Sequence, residues 1–312
     1  MNILWILFFI FLEAKITLRK EIRNLTKQEW KKYKDAFNLF KEKGYLADIS
    51  KIHLEVDEYA HRNGRFLPWH RMLLLHVESI LQMLTKDPTL GIPYWDWTLD
   101  ADDPAKSIIF DEEHWGIKQC YLVSYPTSHC LERIQKDIEP FYNKKNMERL
   151  MNTKVGYDKY RDVLELVPHA LVHMNLGGDM GQMFSTNDPI FFHHHSFIDY
   201  IWYQKQIKHL KNSYGGVHNN KQLSIEERLY PFNRQVKDVM SLKKCQVVYK
   251  PYKAMKIQTA DKKPTPLSNE YIKFHGYDKE KVRKYESFMR GETQRGILRR
   301  LFDFITGRTT LD

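Results

Sequence analysis

Three groups of histidines are spaced for chemistry. His169 and His173 lie four apart in a stretch with helical periodicity, so both imidazoles leave one face about one turn apart and can reach the same metal ion. Taken alone, that pair is equally compatible with two hydrogen-bonded core histidines. His193, His194 and His195 follow the apolar run Ile190-Phe191-Phe192. Successive helix residues point roughly 100° apart, so one face accepts one or two of the three. Three charged imidazoliums inside an apolar helix would be costly, and neutral metal ligands explain the cluster better. His53, His61 and His70 make the third group, with Phe66-Leu67-Pro68-Trp69 leading into His70. Such low-dielectric surroundings favour the neutral imidazole that metals require. Asp199 stands one turn after His195 and Phe191 one turn before it, placed to support a metal-bound imidazole and to exclude water. Three histidines from each half predict two equivalent metal ions.

The donor set narrows the metal. Structural zinc favours cysteine, yet no cysteine occurs before residue 120, and His-Glu-X-X-His is absent. Calcium and magnesium want oxygen ligands, and the paired Glu and Glu-X-X-His of carboxylate di-iron bundles are missing. All-imidazole sites suit copper, zinc, iron or nickel, with copper favoured.

The elements that must position these groups are mostly helices. Thr26-Lys27-Gln28-Glu29 is a capping-box pattern, and Trp30, Tyr33, Phe37 and Phe40 follow at spacings of three and four, predicting a helix over about 27–42 closed by Gly44. Leu73, Leu74, Val77, Leu81 and Leu84 predict another over about 66–85, stopped by Asp87-Pro88. Further helices are predicted from about 157 to 175, ended by Gly177-Gly178, and from Asp188-Pro189 to about His209. Pro93-Tyr94-Trp95-Asp96-Trp97 reads as a packed loop, 99–156 as a long irregular excursion, and Gln246 to Tyr249 as a strand. Lys262 to Pro266 reads as a linker, and Lys281 to Phe304 as a basic amphipathic helix.

Composition excludes several classes. With 312 residues, 42% hydrophobic and 28% charged, the chain is neither collagen-like, coiled-coil nor largely disordered. The net charge of +10 is uneven: residues 203–312 carry 24 basic and 11 acidic side chains, so the whole excess lies in the last third. No nucleic-acid-binding module accompanies it, and it reads as solvated surface before a patch for acidic partners or a membrane surface. Three cysteines are too few to define the fold. Ile3 to Leu12 is an apolar run of ten residues, too short to span a bilayer, and residues 1–14 read as a secretory signal peptide, with a core helix or anchor as the alternative. Asn24-Leu25-Thr26 is a glycosylation acceptor that fits secretion.

Two longer motifs sharpen the reading. His61-Arg62-Asn63-Gly64-Arg65-Phe66-Leu67-Pro68-Trp69-His70-Arg71, continuing to Glu78, resembles the copper A motif of the tyrosinase family of type 3, or binuclear, copper proteins. Asp188-Pro189-Ile190-Phe191-Phe192-His193-His194-His195 with Asp199 is similar to its copper B motif. Pro93-Tyr94-Trp95-Asp96-Trp97, Gly177-Gly178-Asp179-Met180 and Pro231-Phe232 also look familial, so the resemblance covers about residues 19–250.

The resemblance implies a mainly α fold, a four-helix bundle holding a dicopper site with long irregular loops and a few short strands. It implies a copper-binding domain over 19–250 and leaves 251–312 as a basic C-terminal extension of unknown role. Carried over by position, copper A is held by His53, His61 and His70, and copper B by His169, His173 and His195. His193 and His194 are read as non-ligands, and His76, His114, His129, His209, His218 and His275 match no metal motif. The implied chemistry is dioxygen binding between two copper ions, with oxidation of phenols and catechols to ortho-quinones. The implied partners are O2 and a small phenolic or catecholic substrate, with no nucleic acid, no stable membrane span, and an extracellular location.

Two departures bear on activity. Many family enzymes place Asn after the first copper B histidine, where with a nearby Glu it holds a water that deprotonates a phenol; here that position is Ala170, and Glu165 is the candidate base. Catechol oxidation is therefore better supported than phenol hydroxylation. No cysteine lies near the copper A histidines, so the Cys-His thioether of some relatives cannot form. In a secreted context Cys120 and Cys130 pair, leaving Cys245 free, with two free thiols as the alternative. A haemocyanin-like oxygen carrier and a degenerate copper-binding protein without turnover remain as other functions. The aromatic and basic C-terminal segment is expected to cover the site, so that truncation after about residue 255 raises activity.

Overall fold

The computed structural model describes residues 16–211, 213–252 and 261–292. The signal-like run at 1–14, and the predicted C-terminal helix beyond residue 292, lie outside them.

Helix formation follows local chemistry closely at the start of the chain. After strand β1 (Thr17–Lys20), α1 (Lys27–Glu42) opens on the expected capping box: the Glu29 N–H donates to Thr26 Oγ1 (3.2 Å) while the Thr26 N–H donates to Glu29 Oε2 (2.9 Å). Its buried stripe is Trp30, Tyr33, Phe37 and Phe40, and Gly44 at φ 86° turns the chain. α2 (Tyr45–Glu55) begins at once, a helix the sequence reading passed over, and buries Leu46, Ile49 and His53 at spacings of three and four. The short α3 (Asp57–Ala60) leads to α4 (Phe66–Thr85).

Residues 86–143 are irregular, apart from single 3-10 turns at Trp97–Leu99, Pro104–Lys106 and Ile108–Phe110 and the two-residue strands β2 (Leu122–Val123) and β3 (His129–Cys130), which pair beside a Cys120–Cys130 disulfide. α5 (Lys144–Met151) and α6 (Tyr157–Leu164) follow, and α6 runs through a π turn at Glu165–His169 into α7 (Ala170–Leu176). α8 (Pro189–Lys208) is buried around its whole circumference over its first half, as a helix apolar on all sides must be. β4 (Val217–His218), β5 (Lys221–Gln222), α9 (Val236–Val239) and β6 (Val247–Lys250) precede α10 (Asn269–Phe274) and α11 (Lys279–Arg290). The molecule is mainly helical with a few short strands.

β6 lies parallel to β1, with Arg19 opposite Tyr249. That register completes a buried ion network. Arg19 donates to both oxygens of Glu78 on α4 (2.7 and 2.8 Å) and to Asp199 Oδ2 on α8 (2.9 Å), Arg71 Nε donates to Asp199 Oδ1 (2.6 Å), and Tyr249 Oη donates to Asp199 Oδ2 (2.7 Å). The Arg71 guanidinium also lies 3.8 Å above the Trp202 ring. Asp199 therefore supports no imidazole, contrary to the expectation from its spacing. Two guanidiniums with no water around them need its charge, and its two oxygens are used there.

The described part of the C-terminal segment is built into the same core. Leu267, Ile272, Val282, Tyr285 and Met289 are all buried among the core side chains. Tyr285 Oη donates to Asp162 Oδ2 (2.7 Å), and Asn146 Nδ2 donates to the Met289 carbonyl (3.0 Å).

Removing one member of the buried network strands the rest. Arg19→Met is expected to lower unfolding stability by about 3–5 kcal/mol, whereas replacing Arg19 and Glu78 together by apolar residues should cost less than the sum of the single changes. Urea unfolding followed by tryptophan fluorescence measures both.

Candidate metal centre

Each histidine group is placed by a different backbone device. His53 and His70 lie on α2 and α4, and His61 sits directly after α3. His169 ends the π turn. Pro168 has no N–H to give, the helix widens there, and the Ala170 N–H reaches back to the Glu165 carbonyl. His173 follows on α7, and His194 and His195 lie on α8. All eight of the clustered histidines, His193 included, are buried.

Burial keeps these rings neutral. Desolvation lowers His53 to about 4 and His173 to about 3. It drives His61, His70, His169 and His195 well below the ordinary histidine range, helped by neighbouring imidazoles. A neutral imidazole has one N–H and one lone pair, so the partner of one nitrogen decides the role of the other.

Five rings give the same answer. Nδ1 of His53 donates to the Met183 carbonyl (2.6 Å), His61 to Asp57 (3.1 Å), His70 to Phe66 (2.8 Å), His169 to Glu165 (3.0 Å) and His173 to Met180 (2.8 Å). Each Nε2 therefore presents a lone pair. Nε2 of His53 and His70 face each other at 3.4 Å, and those of His173 and His195 at 3.3 Å. The His53 and His70 lone pairs cannot bond each other, and the His173 lone pair meets His195. Two nitrogens each about 2.0–2.1 Å from one cation at a near-tetrahedral angle lie about 3.3 Å apart, so the spacing is that of ligands sharing an ion. The ligand-capable nitrogens of His53, His61 and His70 lie within 4.8 Å of one another, and so do those of His169, His173, His194 and His195. His195 Nδ1 has no partner within the protein.

Tryptophans separate the remaining two histidines from the metal set. The indole N–H of Trp97 donates to His194 Nδ1 (3.1 Å), so His194 carries its hydrogen on Nε2 and offers no lone pair there. His193 Nδ1 donates to the Pro93 carbonyl (2.8 Å) and its Nε2 accepts from Trp115 Nε1 (2.8 Å), which occupies both nitrogens. The Pro93–Trp97 loop thus selects which α8 histidine stays free.

The two groups touch. The rings of His70 and His195 stack with centroids 4.3 Å apart and planes 11° from parallel, Phe191 lies 4.1 Å from His195, and Phe66 lies 4.7 Å from His70 and 4.8 Å from His169. Two carbonyl acceptors of the centre, Met180 and Met183, come from the segment after Gly177-Gly178. A Cβ at Gly178 would meet the Glu132 carbonyl oxygen at 2.0 Å, and φ there is +52°, so only glycine lets the chain turn down against the site.

Glu165 is wholly buried and holds the second half against the first. Its Oε1 accepts the Arg62 backbone N–H (2.6 Å), directly after His61, and its Oε2 accepts from Arg161 Nη1 (2.9 Å); burial nevertheless lifts its carboxyl to about 7 against the Arg161 charge and the Arg62 N–H. A cavity of about 20 Å3 lies over the histidines, lined also by Met180, Gln182 and Ser185 and by Tyr271, His275 and Tyr277 of the C-terminal segment. The sequence points to the aromatic C-terminal segment as cover for the site but singles out none of these three, because no local pattern marks residues that arrive at a site from about a hundred positions away.

Comparison with known proteins agrees with this geometry. Residues 42–120 and 116–208 match the family model described as the common central domain of tyrosinase. A tyrosinase-like protein of Caenorhabditis elegans is 30% identical over 212 residues, covering 59% of this chain and 30% of its own length. A tyrosinase of Streptomyces antibioticus is 25% identical over 261 residues, covering 70% of this chain and 93% of its own. A functional unit of octopus haemocyanin shares the fold with a TM-score of 0.55 at 20% identity, over 75% of this chain and 68% of that one. The chain spans under a third of the nematode relative's length. The two imidazole groups fit two copper ions, one in each.

Replacing His61 or His173 by Ala is expected to reduce bound copper to about one ion per chain, while His193→Phe keeps both ions and costs about 1–3 kcal/mol through the unpaired Trp115 N–H. Elemental analysis and thermal unfolding of the purified variants separate the two outcomes.

Proposed function

Since the chain belongs to the tyrosinase family of type 3 copper proteins, we propose that it is a secreted oxidase converting catechols, and phenols less readily, to ortho-quinones with O2. Copper A is held by His53, His61 and His70, and copper B by His169, His173 and His195. The observation that carries this reading is the stacking of His70 on His195 at 4.3 Å, which sets the two groups side by side over one pocket. Bound copper supplies dioxygen binding and the oxidation of the ring. The protein's own part is to fix five of the six imidazoles through its backbone carbonyls and to keep water out with Phe66 and Phe191.

Catechol preference rests on where the carboxylates are. Both oxygens of Glu165 are engaged by Arg62 and Arg161, and Glu165 is absent from the cavity lining. Ala170 is buried and offers no polar group to hold a water. A phenol entering the pocket finds no carboxylate to take its proton among the described residues, whereas a catechol brings a second hydroxyl. Secretion is supported by the Cys120–Cys130 disulfide, which persists in oxidising compartments, and by the apolar run at Ile3 to Leu12. Among the described residues no helix is long and apolar enough to cross a membrane.

One observation favours a second reading, an oxygen carrier: the free space over the metal set is about 20 Å3, room for little more than one small molecule.

Oxygen uptake by the copper-loaded protein with 4-tert-butylcatechol and with 4-tert-butylphenol tests the proposal. The catechol should turn over and the monophenol should lag by about a hundredfold, the usual contribution of a general base, with Ala170→Asn narrowing the gap. Reversible oxygen binding with no quinone from either substrate would instead favour the carrier.

A further inference from the structure

The irregular excursion before α5 returns to the metal centre at one place. Its β2–β3 hairpin, closed by the Cys120–Cys130 disulfide, leads into residues 131–134, which run along the turn after α7. There the Ile134 N–H donates to the Leu176 carbonyl (2.7 Å) and the Asp179 N–H to the Glu132 carbonyl (2.9 Å). The side chain of Asp179, only 3% exposed, completes the join. Its Oδ2 accepts the Glu132 N–H (3.1 Å), and its Oδ1 accepts from His129 Nε2 and from Asn187 Nδ2, both at 2.9 Å. Asn187 extends the contact to the other half, because its Oδ1 accepts from Ser50 Oγ (2.7 Å) on α2, one turn before His53.

Hydrogen-bond partners fix the charge of His129. Nδ1 faces the Thr127 carbonyl (2.7 Å) and Nε2 faces the Asp179 carboxylate (2.9 Å), and neither partner has a hydrogen to give. A neutral ring would donate to one and turn a lone pair on the other, whereas the imidazolium donates to both. The charged groups facing the ring are Asp179 and Glu132, and Phe184 packs edge-on against it. The Thr127 carbonyl and then Asp179 raise its pKa above the ordinary histidine value, while burial pushes all eight clustered histidines the other way.

The turn that Asp179 fixes supplies two supports of the metal set. Met180, the next residue, gives its carbonyl to His173 Nδ1 (2.8 Å), and Met183 gives its carbonyl to His53 Nδ1 (2.6 Å). One of these rings belongs to each histidine group, so a shift of residues 179–183 redirects a lone pair in both.

We propose that His129 and Asp179 are positioning residues for the metal centre: an imidazolium at 129, clasped to Asp179, holds the turn whose Met180 and Met183 carbonyls aim His173 and His53. The clasp rests on the copper assignment and is independent of turnover. Its contribution is complete below the ordinary histidine pKa of 6.5 and fades as pH rises through the raised value of the folded protein, where His129 gives up one N–H.

Loss of copper to an excess of chelator, followed by the absorbance of the chelate, tests the clasp. Relative to the unsubstituted chain at the same pH, His129→Gln should release copper at least about tenfold faster at about pH 6 and at nearly the same rate at about pH 9, because glutamine offers Asp179 an uncharged donor as the deprotonated ring does. Asp179→Asn should release it faster at both. Equal rates at the lower pH, or an acceleration by His129→Gln that is the same at both, would overturn the proposal, since a general loosening of the fold does not follow the titration of one ring. Should the variants fail to fold, nuclear magnetic resonance of the metal-free unsubstituted chain decides: the amide signals of 179–183 should move with the same midpoint as the His129 ring nitrogens, and amides that ignore that titration overturn the proposal. Copper failing to bind the unsubstituted chain while those amides still follow His129 would keep the clasp and remove the copper reading.

Discussion

An imidazole ligand must be neutral, must keep its hydrogen on the far nitrogen, and must aim its lone pair at a point shared with two others. Everything else in this molecule answers to that requirement. Burial secures the first condition, since a charged imidazole loses its hydration in the core and the rings are driven far below their ordinary pKa. Backbone carbonyls secure the second for five of the six rings, and such acceptors cannot rotate away as side chains can. The third is a matter of helix placement, and it explains why the facing nitrogens of His53 and His70 sit at 3.4 Å with no bond possible between them.

Polar structure elsewhere serves the same end by fixing the helices. The Arg19–Glu78–Asp199–Arg71 network joins α4 and α8, which carry His70 and His195, to the β1–β6 pair. A buried ion network adds little net stability over an apolar replacement, but it tolerates only one arrangement of its members. Trp97 and Trp115 act on a finer scale. By donating to His194 and His193 they take up the lone pairs of two histidines that lie beside the site, so three consecutive imidazoles on one helix resolve into one candidate ligand.

The pocket that results is small, about 20 Å3, and is lined by histidines and by aromatic and polar side chains. Tyr271, His275 and Tyr277, from a segment that joins the domain late in the chain, form part of that lining.

Much of this was legible in the order of residues. The capping box at Thr26, the apolar period of α4, the Asp188-Pro189 start of α8 and the histidine spacings are local signals, and local signals act within one or two helical turns, the range over which hydrogen bonds and side-chain periodicity operate. The family motifs added the pairing of the two histidine sets. Short α2 escaped notice because eleven residues with mixed polarity carry a weak period, and the π turn because a single proline does not say how a helix will accommodate it. Apart from the Cys120–Cys130 pair, partner choice was beyond the sequence. Asp199 sits at ligand-supporting spacing yet faces two arginines, Glu165 sits beside a metal helix yet is held by Arg62 and Arg161, and Tyr271 and His275 carry no motif yet line the pocket. Spacing along a helix sets which face a side chain leaves from, but what it meets there depends on which distant elements pack against that face, and only the folded chain decides that.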